Sequence, residues 1–276
     1  MTQPTVTFIG GGNMARAIYG GLIDSGFAAS NISVVDPSTA AQNNARLAGI
    51  KQVFDSASGS TLSADLIVLA IKPQLTKAAL TPLAGRLGPN SFVLSIVAGI
   101  NAESLAVLLG LSDAGCIIRC MPNTPALVGE GMTGLYANTN AGSAEGKGLA
   151  EGVMSSVGQC VWVENESDLD VITAISGSGP AYFFLFIESL TDAAIALGMD
   201  DASARKLALQ TALGASRLAS LSHEDAATLR KNVSSPGGTT EQAIQSFEAS
   251  NIRGIVIQAT QAAARRSVEL SKEFSV

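Results

Sequence analysis

The sequence predicts two folds in one chain: an α/β half built on a doubly wound parallel sheet, followed by an all-helical half. Three observations carry this reading. Short, continuously apolar runs alternate with helical stretches through the first part of the chain, the pattern of parallel strands covered on both faces. A glycine-rich turn, Gly10-Gly11-Gly12-Asn13-Met14-Ala15, separates the first such run from the first helix. After Glu164 no strand-like run remains. At about 150 residues per domain, 276 residues are enough for two domains. We place the division at residues 1–164 and 165–276.

The elements follow in order. Thr5–Ile9, Ile32–Val35, Leu66–Ile71, Phe92–Val97 and Cys116–Cys120 read as buried strands. Asn13–Ser25, Thr39–Ala48 and Ala102–Leu109 read as helices between them. Two more short strands are expected at Gly134–Ala137 and Val161–Val163, with a helix between. Beyond them, helices are expected at Asp168–Ile175, Pro180–Leu197, Asp201–Ser220, Glu224–Asn232, Thr240–Ser250 and Asn251–Glu273. Pro180 suits a first helical turn, where its missing N–H is no loss, and Gly198 suits a helix stop. Ala204, Ala208, Ala212, Ala215 and Ala219 form a small-residue face on one helix. The Pro180–Leu197 helix is apolar on nearly every side and is expected to be buried all round. A domain of this size covers such a helix only with difficulty, so dimerisation through the helical half is expected.

Composition excludes several classes. Charged residues are 14% and hydrophobic residues 47%, which is incompatible with a disordered chain. The net charge of −6 comes with no basic patch of nucleic-acid size. Glu188 and Asp192 interrupt the most apolar run, Ala181–Leu197, which argues against a bilayer span. The first residues lack the basic and apolar regions of a signal peptide. A cytoplasmic protein is expected. Cys116, Cys120 and Cys160 read as reduced core residues. With one histidine, His223, and three dispersed cysteines, neither a metal cluster nor a Ser/His/Asp triad is expected.

The chemistry of the first half centres on Gly10–Ala15, which fits G-x-G-x-x-A. Gly10 allows the tight turn, Gly12 lets the backbone approach a pyrophosphate, and Ala15 keeps the helix close to the sheet. The free N–H groups and dipole at the helix start, where Gly11, Asn13 and Met14 also lie, attract the anion. Asp36, at the end of the second strand, reads in two ways. It accepts from an adenosine ribose 2′-hydroxyl, favouring NAD, or it is an Asp-Pro turn signal capping the next helix. Ala70-Ile71-Lys72-Pro73, Ala98-Gly99 and Pro122-Asn123-Thr124-Pro125 follow later strands on the same carboxyl-end rim. Lys72 and Asn123 are the candidate polar contacts there, the other readings being a solvated loop lysine and a plain rigid turn.

In the second half, Asn232-Val233-Ser234-Ser235-Pro236-Gly237-Gly238-Thr239-Thr240-Glu241-Gln242 interrupts two helices. Thr239 and Gln242 have capping-box spacing. The same stretch also presents backbone N–H groups and hydroxyls at a helix start, as a carboxylate site would. Ser176-Gly177-Ser178-Gly179-Pro180 reads as a close helix contact, with a cofactor-facing loop as the other reading.

Taken together, these segments resemble pyrroline-5-carboxylate reductase. The matching stretches are Phe8–Ala15, Ile71–Pro73, Met121–Pro125, Ser176–Tyr182 and Leu229–Thr240, spread over the chain in the family's order. The last is the family's signature; the first alone is not specific. The resemblance implies a Rossmann-like domain followed by a helical domain that interlocks with a second subunit, dimers often assembling into decamers. It implies reduction of (S)-1-pyrroline-5-carboxylate to L-proline with NADPH or NADH. By the same resemblance Thr240 contacts the ring nitrogen and is the catalytic candidate. Ser235, Gly238, Thr239 and Thr240 would hold the carboxylate, and Glu166 would reach the substrate from the domain junction. Asn232, Lys72 and Ala98 match cofactor contacts. Ala57 departs from the pattern, since some members carry an adenosine-contacting Asn there. Hydroxyacid dehydrogenases of similar architecture use a lysine on a helix of the second domain, and Ser176–Phe186 contains none.

Overall fold

The computed structural model describes residues 3–57, 61–112, 115–138 and 143–274. The first part of the chain runs β1 (Val6–Ile9), α1 (Asn13–Asp24), β2 (Ile32–Val35), α2 (Thr39–Leu47), β3 (Gln52–Phe54), β4 (Leu66–Leu69), α3 (Pro73–Leu80), β5 (Phe92–Ser95), α4 (Ala102–Leu109), β6 (Ile117–Met121), β7 (Gly131–Ala137), α5 (Ala144–Ser155) and β8 (Gly158–Trp162). The strands form one eight-stranded sheet in the order β3-β2-β1-β4-β5-β6-β7-β8. All neighbours are parallel except β6 and β7. The order reverses between β1 and β4, which opens a ligand crevice outside the carboxyl ends of the strands.

Strand alternation builds the two sides of this sheet. Val6, Phe8, Leu66 and Val68 face a core shared with Ile18 and Leu22 of α1 and Val153 and Met154 of α5. Ile9, Ile67 and Leu69 face the other side, against Leu80, Leu105 and Leu109. β1, β2 and β4 are buried at every position, and burying one such Leu or Ile contributes about 1.5–3 kcal/mol.

Two elements were not expected from the sequence. β3 has one exposed and two half-buried positions, so no apolar run announces it. α3 begins on Pro73 itself, which occupies the first turn. The strands expected at Leu66–Ile71 and Phe92–Val97 stop two residues earlier, because their last residues turn into the rim loops. Cys120 is buried, whereas Cys116 and Cys160 are only half-buried, contrary to expectation. Burial pushes the Cys120 thiol far up, with Cys160 nearby adding to the shift.

The rest of the chain is helical: α6 (Asp168–Ile172), a π-helical turn (Thr173–Gly177), α7 (Gly179–Ala196), α8 (Asp201–Leu221), α9 (Ala226–Asn232), α10 (Thr239–Ala249) and α11 (Ile252–Phe274). The chain divides into two compact units, one running to Ser178 and resuming at Ala263, the other Gly179–Ala262. In the first unit, Ile172 occupies the space left by the missing side chain of Gly134 on β7, and Ser267 Oγ donates to Asp170 Oδ1 at 2.6 Å. In the second, α7 packs on α8, and Ala204 and Ala208 are the buried part of the small-residue face. Asp200 and Asp225 cap α8 and α9, accepting from the Ser203 and Thr228 N–H groups at 3.0 and 2.7 Å.

One expectation about α7 is corrected. It is not buried all round within its own chain: Phe183, Phe184 and Leu185 are 65%, 63% and 62% exposed. The stretch Asp168–Ala196 is long and apolar enough, by length and composition, to cross a membrane.

Candidate active site

The residues read as dinucleotide contacts lie along the carboxyl rim of the sheet. The Gly10 N–H donates to the Val35 carbonyl at 2.8 Å, pinning the turn to the end of β2. Gly10 has φ +101°, and a Cβ there would collide with the Ala70 carbonyl. Gly11 is buried, with Val34 and Ala41 each 3.2 Å from where its Cβ would lie. Gly12, the N-cap of α1, is exposed, and its open side meets no atom within 4 Å. No side chain caps α1, and the Asn13 and Met14 N–H groups have no partner among the described residues. Met14 is half-buried and Ala15 fully buried. A shallow, glycine-lined cradle in front of unpartnered helix N–H groups fits a dinucleotide pyrophosphate.

Asp36, just after β2, braces the turn. Its Oδ2 accepts the Gly11 N–H at 2.7 Å and its Oδ1 the Ser38 N–H at 2.8 Å. The carboxylate therefore serves the turn of its own strand, and it stands fixed beside the cradle at the same time. Each oxygen keeps a lone pair for a ribose hydroxyl.

The other rim loops differ in what they leave open. Lys72 is the exposed N-cap residue of α3, and Ala70 and Pro73 are half-buried beside it. After β5, the N–H groups of Ala98, Gly99 and Ile100 have no partner among the described residues. Leu270 and Phe274 of α11 back this loop at Gly99. Asn123 is buried and its amide is engaged within the protein: Oδ1 accepts the Met132 N–H at 2.9 Å, and Nδ2 donates to the Ser176 carbonyl at 3.0 Å. Glu166 is engaged likewise. Its Oε1 accepts the Ala102 N–H at 2.7 Å and lies 2.9 Å from Arg119 Nη1.

In the helical unit, the Asn232–Gln242 stretch forms a tight turn into α10. The Gly238 N–H donates to the Ser235 carbonyl at 2.9 Å, and Gly237 takes φ +70°. The expected Thr239–Gln242 capping box does not form. The N-cap is Gly238, one residue earlier, so the third helical position is Glu241. Its Oε2 accepts the Gly237 N–H at 2.7 Å, a reach-back related to that of a capping box. The hydroxyls of Ser235, Thr239 and Thr240 have no partner among the described residues, and Thr240 is half-buried. Asn232 Nδ2 donates to Glu224 Oε2 at 2.9 Å. His223 is exposed.

Sequence reasoning missed Arg119, Glu224 and Glu241. For Glu241 a signal was present, since Glu at the third position after a helix cap is a start signature. Arg119 and Glu224 become visible only through their partners across the fold.

Comparison with known proteins bears on both halves. Residues 166–270 match the family described as pyrroline-5-carboxylate reductase dimerisation, and residues 5–99 match the NADP oxidoreductase, coenzyme F420-dependent family. The pyrroline-5-carboxylate reductase of Pseudomonas aeruginosa is 43% identical over 99% of each chain. The chain belongs to the pyrroline-5-carboxylate reductase family. A solved pyrroline-5-carboxylate reductase from Coxiella burnetii is 40% identical, with a TM-score of 0.91 over 98% of this chain and 99% of that one. The pyrroline carboxylate reductase of Plasmodium falciparum, solved with NADP bound, is 30% identical, with a TM-score of 0.84 over 98% and 99%. The chain is thus an oxidoreductase with a Rossmann-like domain, and a dimerisation family covers most of its helices. The match to a dimerisation family supports a homo-oligomer.

Proposed function

We propose that this chain reduces (S)-1-pyrroline-5-carboxylate to L-proline, with NADPH or NADH as the reductant. The observation that carries the reading is the open start of α10. There, free N–H and hydroxyl donors stand without a nucleophile, and the sequence around them is the family signature. Such a group binds and orients; it does not attack. That is what this reduction needs. A protonated cyclic imine is already a strong hydride acceptor, so catalysis rests on orientation.

A reduced nicotinamide held here would supply the hydride for the imine carbon, with the C=N π pair ending as the lone pair of the amine nitrogen. The chain's own residues do the rest. The cradle of Gly10–Ala15 and the rim residues Ala70, Lys72, Pro73, Ala98 and Asn123 hold the dinucleotide, with Asn232 as a further contact. Ser235, Gly238 and Thr239 take the substrate carboxylate through backbone and hydroxyl donors. The Thr240 hydroxyl meets the ring nitrogen as a neutral hydrogen-bond partner and does not repel an iminium, as a lysine would. The partner in solution is a second copy through the helical domain, with decamers as the higher assembly, in the cytoplasm where reduced dinucleotide is drawn.

The test is loss of near-ultraviolet absorbance of NADPH or NADH on adding the imine to purified protein. Imine-dependent oxidation is expected; dinucleotide binding without turnover would overturn the reading. Asp36 adds a sharper expectation. Its fixed carboxylate repels a 2′-phosphate, so Asp36→Ser should raise the ratio of kcat/KM for NADPH over NADH by about tenfold, equivalent to about 1.4 kcal/mol. An unchanged ratio would leave Asp36 as a turn residue only.

A further inference from the structure

The ion pair between Arg119 and Glu166 joins three segments that are far apart in sequence. Arg119 lies on β6, two residues before the Met121–Pro125 rim stretch, with its side chain only 11% exposed. Glu166 opens the segment that becomes α6 and the π-helical turn. Its Oε1 accepts from Arg119 at 2.9 Å and from the backbone of Ala102, the first residue of α4, at 2.7 Å. One oxygen thus ties the middle of β6 and the start of α4 to the same residue.

What lies next to this tie is the loop after β5. Its N–H groups at Ala98, Gly99 and Ile100 have no partner among the described residues, and it ends at Asn101, which caps α4 by accepting the Ser104 N–H at 2.8 Å. The loop sits at the end of β5, beside β4, where the order reversal between β1 and β4 makes the crevice. Apolar packing anchors its ends, since Val97 and Ile100 are buried in the core, and Leu270 and Phe274 press on Gly99 from behind. Its polar anchors are few: the Val97 N–H donates to Ser95 Oγ at 3.3 Å. The position of these three donors is set at one end by β5 and at the other by the start of α4, where Asn101 caps the helix and the Glu166 carboxylate accepts the Ala102 N–H.

Arg119 supports the same conclusion. Its Nε is buried with no hydrogen-bond partner among the described residues, an uncommon condition in a folded protein. A buried guanidinium with an idle donor is not a general stabiliser of its surroundings. What it does have is Glu166.

We infer that Arg119 and Glu166 are positioning residues for the dinucleotide: the pair holds the start of α4, and through it the Ala98–Asn101 loop, in the geometry that meets the cofactor. Glu166 then acts on cofactor binding through the backbone and does not touch the imine. This rests on the dinucleotide reading above.

The experiment titrates NADPH and NADH into the full-length protein without imine, following the fluorescence of Trp162, the sole tryptophan. The variants are Glu166→Ala, Glu166→Gln and Arg119→Lys, with steady-state kinetics alongside. Displacing rim donors by a fraction of an ångström is expected to raise the dinucleotide Kd about 10- to 100-fold in Glu166→Ala. Glu166→Gln keeps an acceptor for the Ala102 N–H and should recover most of that loss. Arg119→Lys keeps the charge without the fork and should fall between. KM for the imine at saturating dinucleotide should stay within about twofold. Should Glu166→Ala not fold, the Gln and Lys variants decide. A raised imine KM with unchanged dinucleotide Kd would overturn the inference and return Glu166 to the substrate. A lowered Tm with unchanged Kd would overturn it in favour of a purely structural pair. Failure of the unmodified protein to bind either dinucleotide would instead sink the underlying reading.

Discussion

Two glycine turns lead into helices in this protein, and they are held in opposite ways. The turn before α1 is wedged into the sheet: Gly10 is pinned to β2 and lies so close to β4 that no side chain fits. The turn before α10 is open: a Cβ on Gly237 would meet no atom within 4 Å. It is shaped by its own short-range bonds, Gly238 to Ser235 and Gly237 to Glu241. Both leave helix N–H groups free, and neither helix has a side-chain cap on its first turn. The first is an anion cradle whose geometry belongs to the whole domain. The second owes its geometry to a handful of adjacent residues, so it should yield to small local changes.

Substitutions can break this contrast. Gly10→Ala is expected to have the largest effect. It combines a backbone collision with a left-handed φ, and the two together should cost about 3 kcal/mol. Dinucleotide Kd should rise at least about 100-fold with a clear fall in Tm, measured by titration and thermal unfolding. Next comes Thr240→Ala, which removes one positioned hydroxyl and should lower kcat by about 10- to 1000-fold with Tm little changed. An unchanged kcat would remove Thr240 from the chemistry. Glu241→Ala should be mildest, loosening the α10 turn by about 0.5–2 kcal/mol as for a lost cap. It should raise KM for the imine several-fold and leave dinucleotide Kd unaltered. Were Gly10→Ala and Glu241→Ala to act alike, on one ligand or on stability alone, the contrast between a wedged and a self-made turn would fail.

The same contrast explains what could be read before any coordinates. The strands of the wedged region were legible because β1, β2 and β4 are buried on both faces and carry no polar interruption beyond Thr7 and Ser33. β3 was not, since an edge strand of three residues with an exposed Gln52 needs no apolar run. α7 misled for a physical reason. Hydrophobicity says that a surface will be covered but not by what, and its phenylalanines are exposed in the single chain. At the sites, glycine and signature positions were visible because they are contiguous. Arg119, Glu166 and Ala102 are not; their meeting is a product of the fold, and no spacing in the sequence encodes it. Glu224 beside Asn232 is the same case in the helical unit.

The return of α11 to the sheet unit has a consequence for how the protein is made. Phe274 packs against the core cluster of Val97, Ile100 and Leu105, and the first compact unit is completed by residues from Ala263 on. During synthesis an amino-terminal domain ordinarily folds while the rest is still emerging. Here the strands appear first, but one of the pieces that covers them is translated after the whole helical unit. The nascent sheet must therefore wait, with part of its apolar flank bare, until the residues from Ala263 on have emerged. In that interval the growing chain is most exposed to chaperones and to aggregation.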